Sequence, residues 1–340
     1  MKTYKNLWES FISIENFQLA AAKAVQSKRN KRSAKYFLSH QQELLEKLRQ
    51  DIIHNRFKTS KYKTFYVFEP KKRIIYELPL YPDHILHHAI INIMGDLWQK
   101  SFIQDSYACI PGRGLHGASK RVMQFVKRNK YVLQCDIKKF YPSIRHDIVM
   151  DILIRKIKDK RILRLLRTIV YSIPGGKNLP IGNLTSQWLG NVYLNQMDMF
   201  IKHILKCRDY VRYSDDFCLF SNDKSTLNQW KTEIQEFIEK KLSLSFSKCI
   251  LRRTCDGVNF VGYRHFPKFI LLRKRSLHKI RKRITAMAQE KDTSKTSESK
   301  LAAAKGWLRF ANTYNYKKDL LKRILAVTNK KTHKFIKQRT

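Results

Sequence analysis

Tyr213-Ser214-Asp215-Asp216 is the stretch on which the reading of this chain turns. Tyr210-Val211 precedes it and Phe217-Cys218-Leu219-Phe220 follows. Apolar and aromatic flanks suit strands while Ser and Asp suit tight turns, so the pattern predicts a β-hairpin with two adjacent carboxylates at its tip. Neighbouring carboxylates repel, and burying either one unpaired is costly. An isolated Asp-Asp is ordinarily a solvated acidic turn, but a third carboxylate changes that reading. Tyr131-Val132-Leu133-Gln134-Cys135-Asp136 has the period of a strand, with Leu133 and Cys135 on one face and Gln134 and Asp136 on the other. Asp136 ends that strand, where a carboxylate can point into a cleft. Carboxylates gathered at strand ends call for a positive partner, and a divalent cation is the natural one.

The rest of the composition suits such a site. The 340 residues are enough for two or three lobes around a large core, and 43% of them are hydrophobic. Lys and Arg number 69 against 27 Asp and Glu, a formal net charge of +42 that points to a polyanionic partner. Nucleic acid is favoured over an acidic membrane because the cations are interleaved with 16 Tyr and 19 Phe. No stretch is long and apolar enough to span a bilayer, and Met1-Lys2-Thr3-Tyr4-Lys5 opens no signal peptide, so a cytoplasmic protein without a membrane partner is expected. The six cysteines form no Cys-x-x-Cys pair and no matching His spacing, which argues against zinc.

Along the chain, helical periodicity runs over 4–26, a basic run Lys28-Arg29-Asn30-Lys31-Arg32 offers phosphate contact, and helix resumes over about 39–54. Two strands, Thr64 to Phe68 and Ile74 to Leu78, are joined by Glu69-Pro70-Lys71-Lys72-Arg73, whose three cations make an anion clamp. Pro82-Asp83 starts an amphipathic helix. Pro111-Gly112-Arg113-Gly114 is a loop in which Arg113 and freed amides could hold a phosphate, and it opens a helix over about 115–128. Helices are expected over 146–157 and 161–171, from Ile181-Gly182-Asn183-Leu184-Thr185-Ser186-Gln187 to about Leu205, and from Asp223 or Ser225 to Leu242. Strands follow at about 244–251 and 257–262. Beyond Pro267 a basic helix, a polar linker over Lys291 to Lys300, and helices over Leu301 to Phe310 and 317–327 read as a separate lobe.

Asp136, Asp215 and Asp216 suit two Mg²⁺ ions about 3.5–4 Å apart, the arrangement for in-line nucleotidyl transfer. Mg²⁺ prefers hard oxygen donors and leaves positions open for substrate phosphates. Lys71, Lys72 and Arg73 would supply counter-charge to a triphosphate.

The ordered series Asp136-Ile137-Lys138-Lys139-Phe140-Tyr141, Ile181 to Gln187, Tyr213 to Asp216 and Asn259-Phe260-Val261-Gly262-Tyr263 resembles the motifs of reverse transcriptases, over roughly residues 60–310. The resemblance implies an α+β right-hand polymerase. An N-terminal helical extension would occupy 1–60. Fingers with interleaved palm elements would take 61–130 and 145–208, the palm 131–144 and 209–267, and a helical thumb with a basic tail 268–340. It implies Asp136, Asp215 and Asp216 as catalytic acids, the carbonyl of Ile137 as a further metal ligand, and Lys71, Lys72, Arg73, Tyr141, Ile181 and Gly182 around the nucleotide. Tyr141 matches the aromatic gate that crowds a 2′-hydroxyl. Arg113, Ser186, Gln187, Gly262 and Tyr263 would face template or primer, with Gly262 allowing close approach of the primer.

Most reverse transcriptases carry Gln-Gly followed by Ser-Pro, whereas this chain carries Ile181-Gly182 and Ser186-Gln187. That departure resembles the reverse transcriptases of diversity-generating retroelements. Their properties would be error-prone copying of a template RNA at adenines, deoxynucleotide substrates, a cDNA product, and a small basic ring-forming accessory protein as partner. A retron or group II intron type is the neighbouring alternative. A catalytically silent RNA-binding protein on the same scaffold is the alternative of another class, and the three intact acids argue against it.

Overall fold

The computed structural model describes residues 3–68, 71–290, 295–316 and 318. The turn residues Glu69 and Pro70, the helix expected over 317–327 and the C-terminal tail lie outside them, Lys318 excepted. Two strands, β1 (Lys63–Val67) and β2 (Arg73–Glu77), pair antiparallel as a ribbon of their own. A four-stranded antiparallel sheet is built from β3 (Tyr131–Ile137), β4 (Tyr210–Tyr213), β5 (Asp216–Ser221) and β6 (Phe246–Arg253), in the order β4-β5-β3-β6. A small third sheet, β7 (Val258–Phe260), β8 (Tyr263–His265) and β9 (Ile270–Leu272), follows. The strand reading of residues 131–136 and the hairpin reading of 210–220 hold. The expected strand over 257–262 instead ends at Phe260, and β8 and β9 follow where none was expected.

Alternation along the central strands sorts their side chains between two layers. Leu133, Cys135, Phe217, Leu219 and Tyr210 belong to the main core with helices Leu184–Met199 and Lys224–Leu242. Val132, Cys218, Phe220 and Val211 instead pack with Ala118, Val122 and Phe125 of helix Leu115–Arg128 and with the small sheet. Helix Leu184–Met199 is buried nearly all round, including Asn191, Asn195 and Asp198, because it lies between the sheet and the N-terminal helices. Phe17, Ala20 and Ala21 of helix Ile14–Val25 join the same core against helix Ile85–Gln99, so the N-terminal extension is part of the main body. Asp223 caps helix Lys224–Leu242 by accepting from the amides of Ser225 (3.1 Å) and Thr226 (2.9 Å).

The C-terminal helices Lys274–Glu290 and Lys295–Phe310 have a core of their own, formed by Ile280, Ile284, Ala304 and Leu308 with Tyr263 and Leu272. The second of these begins inside the stretch expected to be a linker, so residues 295–300 are helical. Among the described residues no helix is long and apolar enough to cross a membrane.

Candidate active site

In the sheet register Asp136 lies opposite Asp216 on one side and Lys248 on the other. Directly paired residues of antiparallel strands share a face, so Asp136, Asp216 and Lys248 project together at one end of the sheet. The β4–β5 turn consists of Ser214 and Asp215, with Ser214 in the left-handed region at φ 58°. The turn is tied to the first strand because the amide of Ile137 donates to the Asp215 carbonyl at 3.3 Å. The three acids, distant in sequence, therefore meet at one sheet end.

Their electrostatics are those of carboxylates needing a cation. Burial, reinforced by repulsion from Asp136 and Asp215, pushes Asp216 up to about 7 against the pull of Arg273 and Lys248. Burial likewise raises Asp215, with Asp136 adding repulsion and Ser214 and Arg73 opposing it. The available donors are three carboxylates and a backbone carbonyl, all hard oxygens that fit Mg²⁺. Among the described residues no three His, Cys, Asp or Glu side chains form a ready-made cage. Mg²⁺ does not require one, since it binds through one or two carboxylates, water and substrate phosphates.

Two neighbours of the acids were not legible in the sequence. The β3–β6 pairing shifts register between Asp136 and Ile137, leaving Ser247 as an extra residue on β6. This bulge turns the Ser247 hydroxyl onto the Asp136 carboxylate, to which it donates. Arg273, read from sequence only as part of a basic helix, is half-buried. Its amide donates to Gly262 O at 3.1 Å, and its charge is the largest pull on Asp216. Arg273, with Gln134, Asn259 and Tyr314, lines a cleft of about 1210 Å³ running from Asp136 and Asp216 to the C-terminal helices.

On the opposite side Tyr141 sits at the hairpin tip. Burial raises its hydroxyl, Asp215 adds to the effect, and Ser214 bonds to it. A Cβ on Gly190 would stand 3.3 Å from the Tyr141 ring, so the small residue makes room for it. Arg73 is exposed at the start of β2 within electrostatic reach of Asp215. Lys71 and Lys72 are exposed, and the ammonium of Lys72 lies 4.2 Å from the centre of the Tyr66 ring. Gly182 is forced. Its φ is +132°, and an added Cβ would lie 2.2 Å from the Tyr76 carbonyl. The half-buried Ile181 accepts from the Tyr76 amide at 2.8 Å, which fastens β2 to this loop.

Four residues expected at nucleic acid make contacts within the protein. Arg113 uses Nη1 to clamp the carbonyls of Ile103 (2.6 Å), Gln104 (3.1 Å) and Ser106 (2.8 Å), so it closes its own loop rather than waiting for a phosphate. Ser186 is buried, whereas Gln187 next to it is exposed. Gly262 takes φ +85°, and an added Cβ would strike the Trp307 ring at 2.6 Å, so its backbone makes room for the C-terminal helix. Tyr263 is wholly buried and stacks on Trp307 with ring centres 5.0 Å apart, while its hydroxyl lies 3.0 Å from His116 Nε2. Both residues belong to the joint between the sheets and the C-terminal helices.

A family model described as reverse transcriptase (RNA-dependent DNA polymerase) matches residues 63–265, more than half of the chain. The chain belongs to the reverse transcriptase family. Its α+β arrangement of helices and antiparallel sheets is that of a right-hand polymerase. Among curated relatives, protein YkfC of Escherichia coli K12 is 24% identical over 261 residues, covering 63% of this chain and 67% of that protein. The group II intron-encoded protein LtrA of Lactococcus lactis subsp. cremoris is 21% identical over 263 residues, 55% of this chain and 43% of that one. The retron Ec73 reverse transcriptase of Escherichia coli is 29% identical over 132 residues, 35% of this chain and 40% of that one. The reverse transcriptase thus spans less than half the length of the latter two relatives.

Proposed function

We propose that this protein is an RNA-directed DNA polymerase that copies a retroelement template RNA into cDNA by two-metal nucleotidyl transfer. The observation that carries the reading is the meeting of Asp136, Asp215 and Asp216 at one sheet end. These side chains, with the Ile137 carbonyl, would hold two Mg²⁺ ions, which supply activation of a primer 3′-hydroxyl and charge stabilisation of the leaving pyrophosphate. Arg73 neutralises the triphosphate, aided by Lys71 and Lys72. The Tyr141 ring bounds the space beside the sugar and favours deoxynucleotides, and Ile181 with Gly182 shapes the nucleotide pocket. Gln187 remains the template-side candidate. Residues 61–130 and 145–208 would act as fingers, 131–144 and 209–267 as palm, and 268–340 as thumb, behind an N-terminal extension over 1–60.

The Ile181-Gly182 and Ser186-Gln187 pattern supports the diversity-generating type, with copying errors at template adenines, a small basic ring-forming accessory protein as partner, and a cytoplasmic place in a bacterium or phage-infected cell. An apolar Ile181 in place of a hydrogen-bonding amide loosens the constraint on nucleotide placement. The retron and group II intron names of the relatives favour the second reading, a reverse transcriptase of one of those types.

Extension of a DNA primer on an RNA template with Mg²⁺, abolished by Asp215→Ala while RNA binding persists, is the expected result. Loss of RNA binding together with extension would instead give the hairpin a structural role. Ile181→Gln is expected to lower misincorporation opposite adenine, and an unchanged error rate would count against the diversity-generating type.

A further inference from the structure

The side chains of Arg212 on β4 and Asp198 on helix Leu184–Met199 are both wholly buried and form a bidentate pair, Nε to Oδ1 at 2.8 Å and Nη2 to Oδ2 at 2.6 Å. The Tyr210 hydroxyl donates to the same Oδ1 at 2.6 Å. The remaining nitrogen, Nη1 of Arg212, donates to Asn191 Oδ1 at 3.0 Å and to the Ser214 carbonyl at 3.1 Å. Asn191 is fixed in turn by its amide, which donates to Ala108 O at 2.8 Å. Every member of the cluster has a partner.

Stability alone does not account for this arrangement. A buried ion pair loses its hydration, and an apolar cluster of the same volume is often as stable or more so. What an apolar cluster lacks is a donor directed at the tip of the hairpin. Ser214 occupies a left-handed conformation, φ 58°, that a non-glycine residue keeps only when its surroundings hold it there. Its carbonyl is what Arg212 grips, and Asp215 is the next residue. A guanidinium is suited to this because its planar fork stays fixed on one carboxylate while a further N–H serves another acceptor.

The anchor also has a second reach. Helix Leu184–Met199 supplies Asn191 and Asp198 to Arg212, and it supplies Gly190 to the Tyr141 ring. One rigid helix therefore indexes both the turn that carries Asp215 and the aromatic ring beside it. We propose that Arg212, anchored by Asp198, is a positioning residue that holds the Ser214–Asp215 turn in register with Tyr141 for nucleotidyl transfer. This rests on the polymerase reading above.

The test compares the wild type with two variants of the full chain. Arg212→Lys keeps the charge but not the fork. Arg212→Met, Asp198→Leu and Tyr210→Phe combined replaces the polar cluster with apolar volume and guards against a simple folding failure. Both are expected to stay folded by circular dichroism. In the substrate-free protein, hydrogen exchange in peptides covering 133–140 and 210–220 is expected to quicken about 10- to 100-fold, the scale of losing a charge-assisted hydrogen bond. In single-nucleotide addition kcat is expected to fall about 100-fold, the scale of a reacting group displaced by about 1 Å, with affinity for primer–template unchanged. Preference for deoxy- over ribonucleotides should shift as well, a change that simple destabilisation would not produce. A folded combined variant that exchanges like the wild type, or that adds nucleotides at close to the wild-type rate, overturns the assignment. Should the wild type itself extend no primer, the polymerase reading fails. The exchange comparison then decides alone whether Arg212 holds the Ser214–Asp215 turn, quickening supporting that hold and no change overturning it.

Discussion

Among the described residues, the acidic hairpin β4–β5 and the basic hairpin β1–β2 are built to opposite ends. The acidic one, β4–β5, buries Tyr210, Val211, Phe217, Cys218, Leu219 and Phe220, and β5 pairs with β3 as well as with β4. Arg212 grips its turn from within the core. The basic one, β1–β2, carries an equally apolar and aromatic sequence but leaves Phe65, Tyr66, Val67, Phe68 and Ile74 exposed, and its strands pair only with each other. It is tied to the body through Tyr76, whose amide donates to the Ile181 carbonyl and whose hydroxyl accepts from Asn178, at the far end from Lys71, Lys72 and Arg73. A lone two-stranded ribbon has low local stability, whereas a strand covered on both faces opens only with the whole fold. Groups whose geometry must be fixed stand on the first hairpin. The cations proposed to neutralise an incoming phosphate chain, which would have to follow it, stand on the second.

Substitutions sharpen that contrast. The largest effect is expected in the acidic hairpin's core. Phe217→Ala removes a wholly buried ring and should destabilise the fold by about 3–5 kcal/mol, read from denaturant midpoints. A loss below about 1 kcal/mol would mean that this sheet is not the rigid element described. Next comes Arg73→Ala in the basic ribbon. It removes the charge proposed to contact the triphosphate and should raise KM for the nucleotide about 10- to 100-fold, with the melting midpoint unmoved. Ser247→Ala, which strips the Asp136 carboxylate of its hydroxyl donor, should lower kcat about tenfold without affecting nucleotide KM. The smallest effect belongs to Phe68→Ala. With that residue 69% exposed, stability should change by no more than about 0.5 kcal/mol.

Much of the acidic site was readable before any coordinates. Period-two alternation over 131–136 set Asp136 apart from Cys135, and a Ser-Asp turn between apolar runs placed Asp215 and Asp216 at a tip. What could not be read depends on contacts between distant segments. β8 and β9 are three residues each, too short to carry a period. Gly262 and Tyr263 were expected at a primer strand, but Trp307 occupies the space beside them, and no local pattern announces that contact. Arg113 looked like a phosphate ligand because its loop is rich in glycine, yet carbonyls of 103, 104 and 106 take up its Nη1. Ser247 becomes a neighbour of Asp136 only through a one-residue slip in pairing, and Arg212 gains its role only when Asp198 on the central helix faces it.

The central claim is that three acids act as one site on the rigid hairpin and its neighbouring strand. Single-turnover extension of a primer on an RNA template, with RNA binding measured in parallel, tests it when Asp136→Ala, Asp215→Ala and Asp216→Ala are each compared with the wild type in Mg²⁺. Each variant is predicted to bind RNA normally and to lose extension by about 10³-fold or more, at least the loss expected for one preorganised electrostatic group. Extension at the wild-type rate by any one of the three would contradict the account.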